Sequence, residues 1–97
     1  MIMANKRNLK KDIRYLTEIV VIEAIEISEI ATNEESRKKA LGVIIDLADL
    51  HNNLLSRVNH PDGKEDRALV KKHYRSIIDD LVSGCNNAYN ELNKISL

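Results

Sequence analysis

Apolar residues along this chain recur at spacings of three and four rather than two, and they are densest between Leu16 and Ala31. At about 100° per residue, Leu9, Ile13, Leu16, Val20, Ile27 and Ala31 fall on one stripe, with Ala24 at its edge. Ile19 and Ile30 widen that stripe on one side and Val21 on the other. Ile22 and Ile25 lie almost opposite its centre, among Glu18, Glu26 and Glu29. A strand is the competing reading, because Ile and Val favour extended backbone. Alternation fails at Ile19-Val20-Val21-Ile22, however, and no glycine or proline interrupts the sixteen residues. The pattern predicts a central helix, about 8–31, that is apolar on more than one side. Such a helix is covered by its own chain or by a partner.

The same rhythm continues. Leu41, Ile44, Ala48, His51, Leu55 and Val58 form a second seam, with Ala40, Leu47 and Leu54 beside it, predicting a helix over about 33–58. Thr32 and Glu35 have capping-box spacing before it, as Asn8 suits an N-cap for the first helix. His60-Pro61-Asp62-Gly63 is the one strong break. Asp62 and Glu65 repeat the capping spacing, so a third helix is expected from about Gly63 to Ile95. Val70, Tyr74, Ile77, Leu81, Gly84, Ala88, Leu92 and Ile95 make its stripe. Gly84 permits a close helix approach, and the asparagine-rich stretch after it predicts bending or fraying. The fold class is all-α, a three-helix up-down-up antiparallel bundle. Residues 1–7 are expected to be a flexible N-terminus and residues 8–97 a single domain.

Composition narrows this further. The chain has 97 residues, no Phe or Trp, three Gly and one Pro, so its core must be aliphatic and its turns few. Formal charge is zero but unevenly placed. Lys6, Arg7, Lys10, Lys11 and Arg14 oppose Asp12 alone in the first fourteen residues, and six glutamates with no base follow over 15–35. A balanced total weakens long-range attraction to nucleic acid. Cys85 is the lone cysteine, which excludes an internal disulfide and points to a reducing, cytoplasmic setting. The basic start before an apolar run mimics a signal peptide, but glutamates interrupt the run and no small-residue cleavage site follows. No uninterrupted apolar stretch is long enough to cross a bilayer, so no membrane association is expected.

Three segments carry a resemblance. Asn5-Lys6-Arg7-Asn8-Leu9-Lys10-Lys11-Asp12-Ile13, Arg57-Val58-Asn59-His60-Pro61 and Lys71-Lys72-His73-Tyr74 match an N-K-R-x-L-K-K-x-I start, an R-[IV]-x-H-P junction and a lysine- and tyrosine-containing last helix. On these the chain resembles a group of small uncharacterised helical proteins of Bacteroides-type bacteria. The matching pieces cover about a quarter of the chain. The resemblance implies a helical fold and a bacterial origin, and it brings no activity with it.

Candidate chemistry is sparse. A tight fold about Pro61-Asp62 would set His51 level with Lys72-His73, and the first turn would bring Arg14-Tyr15 to the same height. Tyr15, His51, His73 and Tyr74, with Asp12 nearby, would then share a polar core layer. Two imidazoles and a carboxylate can hold zinc. The favoured reading is a core histidine satisfied by a hydroxyl or carboxylate, because buried polar groups must be paired. No glutamate has a histidine three residues on, which excludes the di-iron carboxylate pattern. Cys85 sits on an apolar stripe as core filler, and Gly42, Gly63 and Gly84 form no phosphate loop.

No catalytic residue, metal or cofactor is therefore expected, and the chain is read as a non-enzymatic interaction or structural module. Val21, Ile22 and Ile25 form the candidate interface, with a protein partner or a homodimer as the expected association. The alternative is a nucleic-acid-associated regulator using the basic start with Lys38-Lys39. A metal or small-molecule site near His51 ranks third.

Overall fold

The computed structural model describes residues 6–59 and 66–95. Over these the chain forms three helices and no strand: α1 (Lys6–Ile30), α2 (Glu34–Asn59) and α3 (Arg67–Asn93). The expected all-α three-helix bundle is what forms. Leu50 packs on Gly84, and Arg57 reaches Ser76 and Asp80, so α2 and α3 are antiparallel. The three-residue connection 31–33 turns α2 back along α1, so α1 and α3 run parallel, and Leu16 and Val20 share a groove with Val82, Cys85 and Tyr89. The molecule is elongated, 53 × 21 × 17 Å.

Each helix end has a local cause. Ala31 N–H still bonds to the Ile27 carbonyl at 2.9 Å, and its side chain is buried, which ends α1 tightly. The N-cap of α2 is Asn33 rather than Thr32. Its side-chain oxygen accepts from Ser36 N–H at 2.8 Å, serving a donor that the first turn leaves unpaired. Glu34 and Glu35 follow at the positive end of the helix dipole. The N-cap of α3 is Asp66, whose extended backbone lets its carboxylate accept from Ala68 and Leu69. The helix accordingly starts at Arg67 instead of about Gly63. The expected Asp62–Glu65 capping box lies outside the described residues, as do residues 1–5 of the expected flexible start. Lys6 and Arg7 are already helical, which places Asn8 inside the first turn of α1 instead of capping it.

Leu9, Ile13, Val20, Ala24, Ala40, Leu47, Leu54, Val58, Ile77 and Leu81 are the nearly water-free centre of one shared core. Two features depart from the sequence pattern. Thr17 takes a buried place on the α1 stripe between Ile13 and Val20, its hydroxyl donating to the Ile13 carbonyl at 2.7 Å. That back-bond satisfies the hydroxyl without a partner helix. On α2 the buried row is Ala40, Val43, Leu47, Leu54 and Val58, so the seam is rotated. Leu41 and Ala48, expected at its centre, are exposed. Two adjacent apolar rows run along α2, and the one that faces both neighbouring helices is buried.

The α3 stripe is as expected except that Cys85 is buried beside half-buried Gly84. A methyl group at Gly84 would run into the end of the Leu50 side chain, so the missing Cβ makes the room that Leu50 fills between α2 and α3. The helix runs unbroken through Gly84 to Asn93, without the expected fraying.

Candidate interaction surface

The expected polar layer does not assemble. Residues level with each other on α2 and α3 have numbers summing to about 134, set by Leu50 on Gly84, and not the 123 of a tight fold at Pro61. His51 is therefore level with about residue 83, roughly 15 Å along the axis from His73 at 1.5 Å per residue. It is half-buried, with Nδ1 3.3 Å from the Asn52 side-chain oxygen. Tyr15 is 65% exposed and points away from the core. Tyr74 is buried, tilted against the His73 ring at 5.9 Å.

His73 has a different task. Its Nε2–H donates to the Arg57 carbonyl at 2.6 Å. In the α-helical ladder that carbonyl would accept from residue 61, and Pro61 has no N–H to give. An imidazole from the neighbouring helix thus serves a carbonyl that has lost its α-helical donor. The Arg57 guanidinium completes the junction, donating to Asp80 at 2.6 Å and Ser76 at 2.8 Å.

Among the described residues, no three His, Cys, Asp or Glu side chains are placed to hold a metal. Burial pushes the Cys85 thiol above its ordinary pKa, away from the thiolate that nucleophilic chemistry needs. A shallow groove of about 270 Å³ runs between α2 and α3 past Val43, Leu50, Gly84 and Ala88, with Asp46 and Glu91 at its rim.

The outer side of α1 stands out instead. Ile22 is 56% exposed and Ile25 41% exposed, on the side opposite Leu9, Ile13 and Val20. Val21, grouped with them from the sequence, packs partly buried against the core, so the candidate surface is narrower than expected. Tyr15 extends it towards the N-terminus, and Ile19 lies on its flank beside the α1–α3 groove. Lys10, Lys11, Arg14, Tyr15 and Glu18 line a depression of about 230 Å³ at the basic end. Lys10, Lys11 and Arg14 make no ion pair among the described residues, whose bridges are Arg37–Glu34, Lys39–Glu35, Arg57–Asp80 and Lys94–Glu91. Glu18, Glu23, Glu26 and Glu29 are all exposed as well. Glu23, expected on the flank of the core stripe, points to solvent.

Fold and surface together define a three-helix bundle whose first helix is apolar and charged on the side its own core does not use. Among the described residues, no helix is long and apolar enough to cross a membrane. Compared with family models, curated proteins and solved structures, the chain finds no match.

Proposed function

We propose that this chain is a non-catalytic helical module that associates through the outer face of α1, in the first place with a second copy of itself. The observation that carries the reading is the exposure of Ile22 and Ile25 opposite an already closed core. Burying aliphatic surface gains roughly 25 cal/mol per Å², and these side chains gain it only by meeting another molecule. A reducing, cytoplasmic setting fits the single thiol. Sedimentation equilibrium at increasing concentration tests the reading: the wild-type mass should rise towards a dimer. Ile22→Glu/Ile25→Glu should stay monomeric with unchanged helical content. A wild-type chain that remains monomeric at high concentration would remove the basis for self-association.

A second reading rests on Lys10, Lys11 and Arg14, unpaired within the described residues and adjoining the exposed Tyr15 ring. Cations around a stacking surface are what a single-stranded nucleic acid uses. It is the weaker reading, because Glu18 closes the same depression and the chain has no net positive charge. Saturable, salt-dependent retention of an oligonucleotide, lost in Lys11→Glu/Arg14→Glu, would favour it over association.

A further inference from the structure

Along the outer side of α1, Lys11, Tyr15, Glu18, Ile22, Ile25 and Glu29 follow the alternating four-three spacing of a coiled-coil seam, and all six are exposed. The seam is polarised. Lys11 is its base, with Arg7 and Arg14 alongside, while Glu18, Glu26 and Glu29 lie further on.

Resting on the reading that this face associates, we infer that its occupant is α1 of a second copy, lying antiparallel about a twofold axis level with Val20. In that one register Lys11 faces Glu29 of the second copy and Tyr15 lies across from Ile25, while Arg14 comes level with Glu26 from the other edge of the seam. Glu18, in the middle of the seam, is level with Ile22, and its carboxylate must reach past the isoleucine to water. The axis repeats every pair, so one alignment sets a basic end of each helix against an acidic end of the other and brings Ile22, Ile25 and Tyr15 into contact across the seam. A parallel pair would set Lys11 against Lys11 and Glu29 against Glu29, with like-charged ends level, and such like-charge juxtaposition selects against it. The same arrangement accounts for the isoleucines standing among glutamates: the glutamates are the partners of the basic first turns. From Lys11 to Glu29 the seam is about 27 Å long. Two helices in contact over that length bury on the order of 1,000 Å² in total, the lower end of specific interfaces. The charge pairs therefore decide orientation, and association should weaken as salt screens them.

Charge reversal separates orientation from face. Antiparallel pairing expects Lys11→Glu/Arg14→Glu and Glu26→Lys/Glu29→Lys each to raise the dimer dissociation constant roughly tenfold or more at low salt. The fourfold variant K11E/R14E/E26K/E29K should return it to within about threefold of wild type, because the ends that lie level again carry opposite charge, with the signs exchanged. Spin labels at Ile30→Cys in a Cys85→Ser background should lie about 30 Å apart or more, since that position is level with residue 10 of the second copy. Labels closer than about 20 Å, or charge reversals that leave the dissociation constant unchanged, would overturn the antiparallel register. In that event, loss of the dimer in Ile22→Glu/Ile25→Glu would still uphold the face itself. A wild-type chain that never dimerises would overturn both.

Discussion

Replacing His73 tests whether a half-buried imidazole acts as the cap that α2 lacks. The α-helical donor to the Arg57 carbonyl would be residue 61, which is proline, and His73 donates to it at 2.6 Å. Losing one such hydrogen bond costs about 1 kcal/mol, and more if the acceptor stays dry. His73→Ala should lower urea-unfolding stability by about that amount. His51→Ala, whose ring faces only the neighbouring Asn52, should stay within about 0.5 kcal/mol. Equal losses at both histidines would refute the cap. Cys85 gives a second residue-scale expectation. Its thiol pKa is raised in the fold by burial, so the unfolded chain releases the proton first. The thiol's contribution is thus complete below its ordinary pKa and declines as pH rises through that value towards the folded one. At neutral pH a thiol reagent should label Cys85 slowly, at a rate that follows unfolding. Rapid stoichiometric labelling of the native protein would contradict its burial.

At the scale of elements, helix ends offer the sharpest test. Asn33 and Asp66 each accept from first-turn amides, at 2.8 and 2.9 Å. Asn33→Ala and Asp66→Ala should each cost about 1 kcal/mol in denaturant unfolding, while Thr32→Ala should be nearly silent. A larger loss at Thr32 than at Asn33 would move the cap back by one residue. These ends also show what periodicity does and does not encode. The existence of three helices was legible because apolar spacing of three and four admits no other regular structure. The α3 stripe was legible too, since Tyr74, Ile77, Leu81, Ala88 and Leu92 form its only continuous row. On α2 two apolar rows compete, and a single helix's pattern cannot say which one its neighbours cover. The polar layer failed for a related reason. Register across α2 and α3 is fixed by Leu50 filling the space over Gly84, a contact between distant positions that no local spacing records. The His73 cap was partly readable, because a proline after a helix always leaves one carbonyl four residues back without its donor. Which side chain supplies that donor depends on the register.

For the whole molecule, association and stability should be linked. The centre of the core consists of aliphatic side chains and is nearly closed to water in a single copy. The core therefore closes within one copy, and on the proposed reading the outer face of α1 adds stability only when occupied. A second copy that binds only the folded chain stabilises it by mass action. A hundredfold rise in concentration above the dissociation constant contributes on the order of 1–3 kcal/mol. In a domain of this length that raises Tm by several degrees. Calorimetry of the wild type should therefore show Tm climbing with protein concentration. The Ile22→Glu/Ile25→Glu variant should show a flat Tm, equal at the lowest concentration to that of the wild type. The comparison is informative because both side chains lie outside the core, so their replacement removes association without hollowing the bundle. If the variant's Tm were far lower at every concentration, Ile22 and Ile25 would be stabilising their own chain, and the outer face would be no interface. If the wild-type Tm were itself flat, neither the face nor its antiparallel occupant would stand.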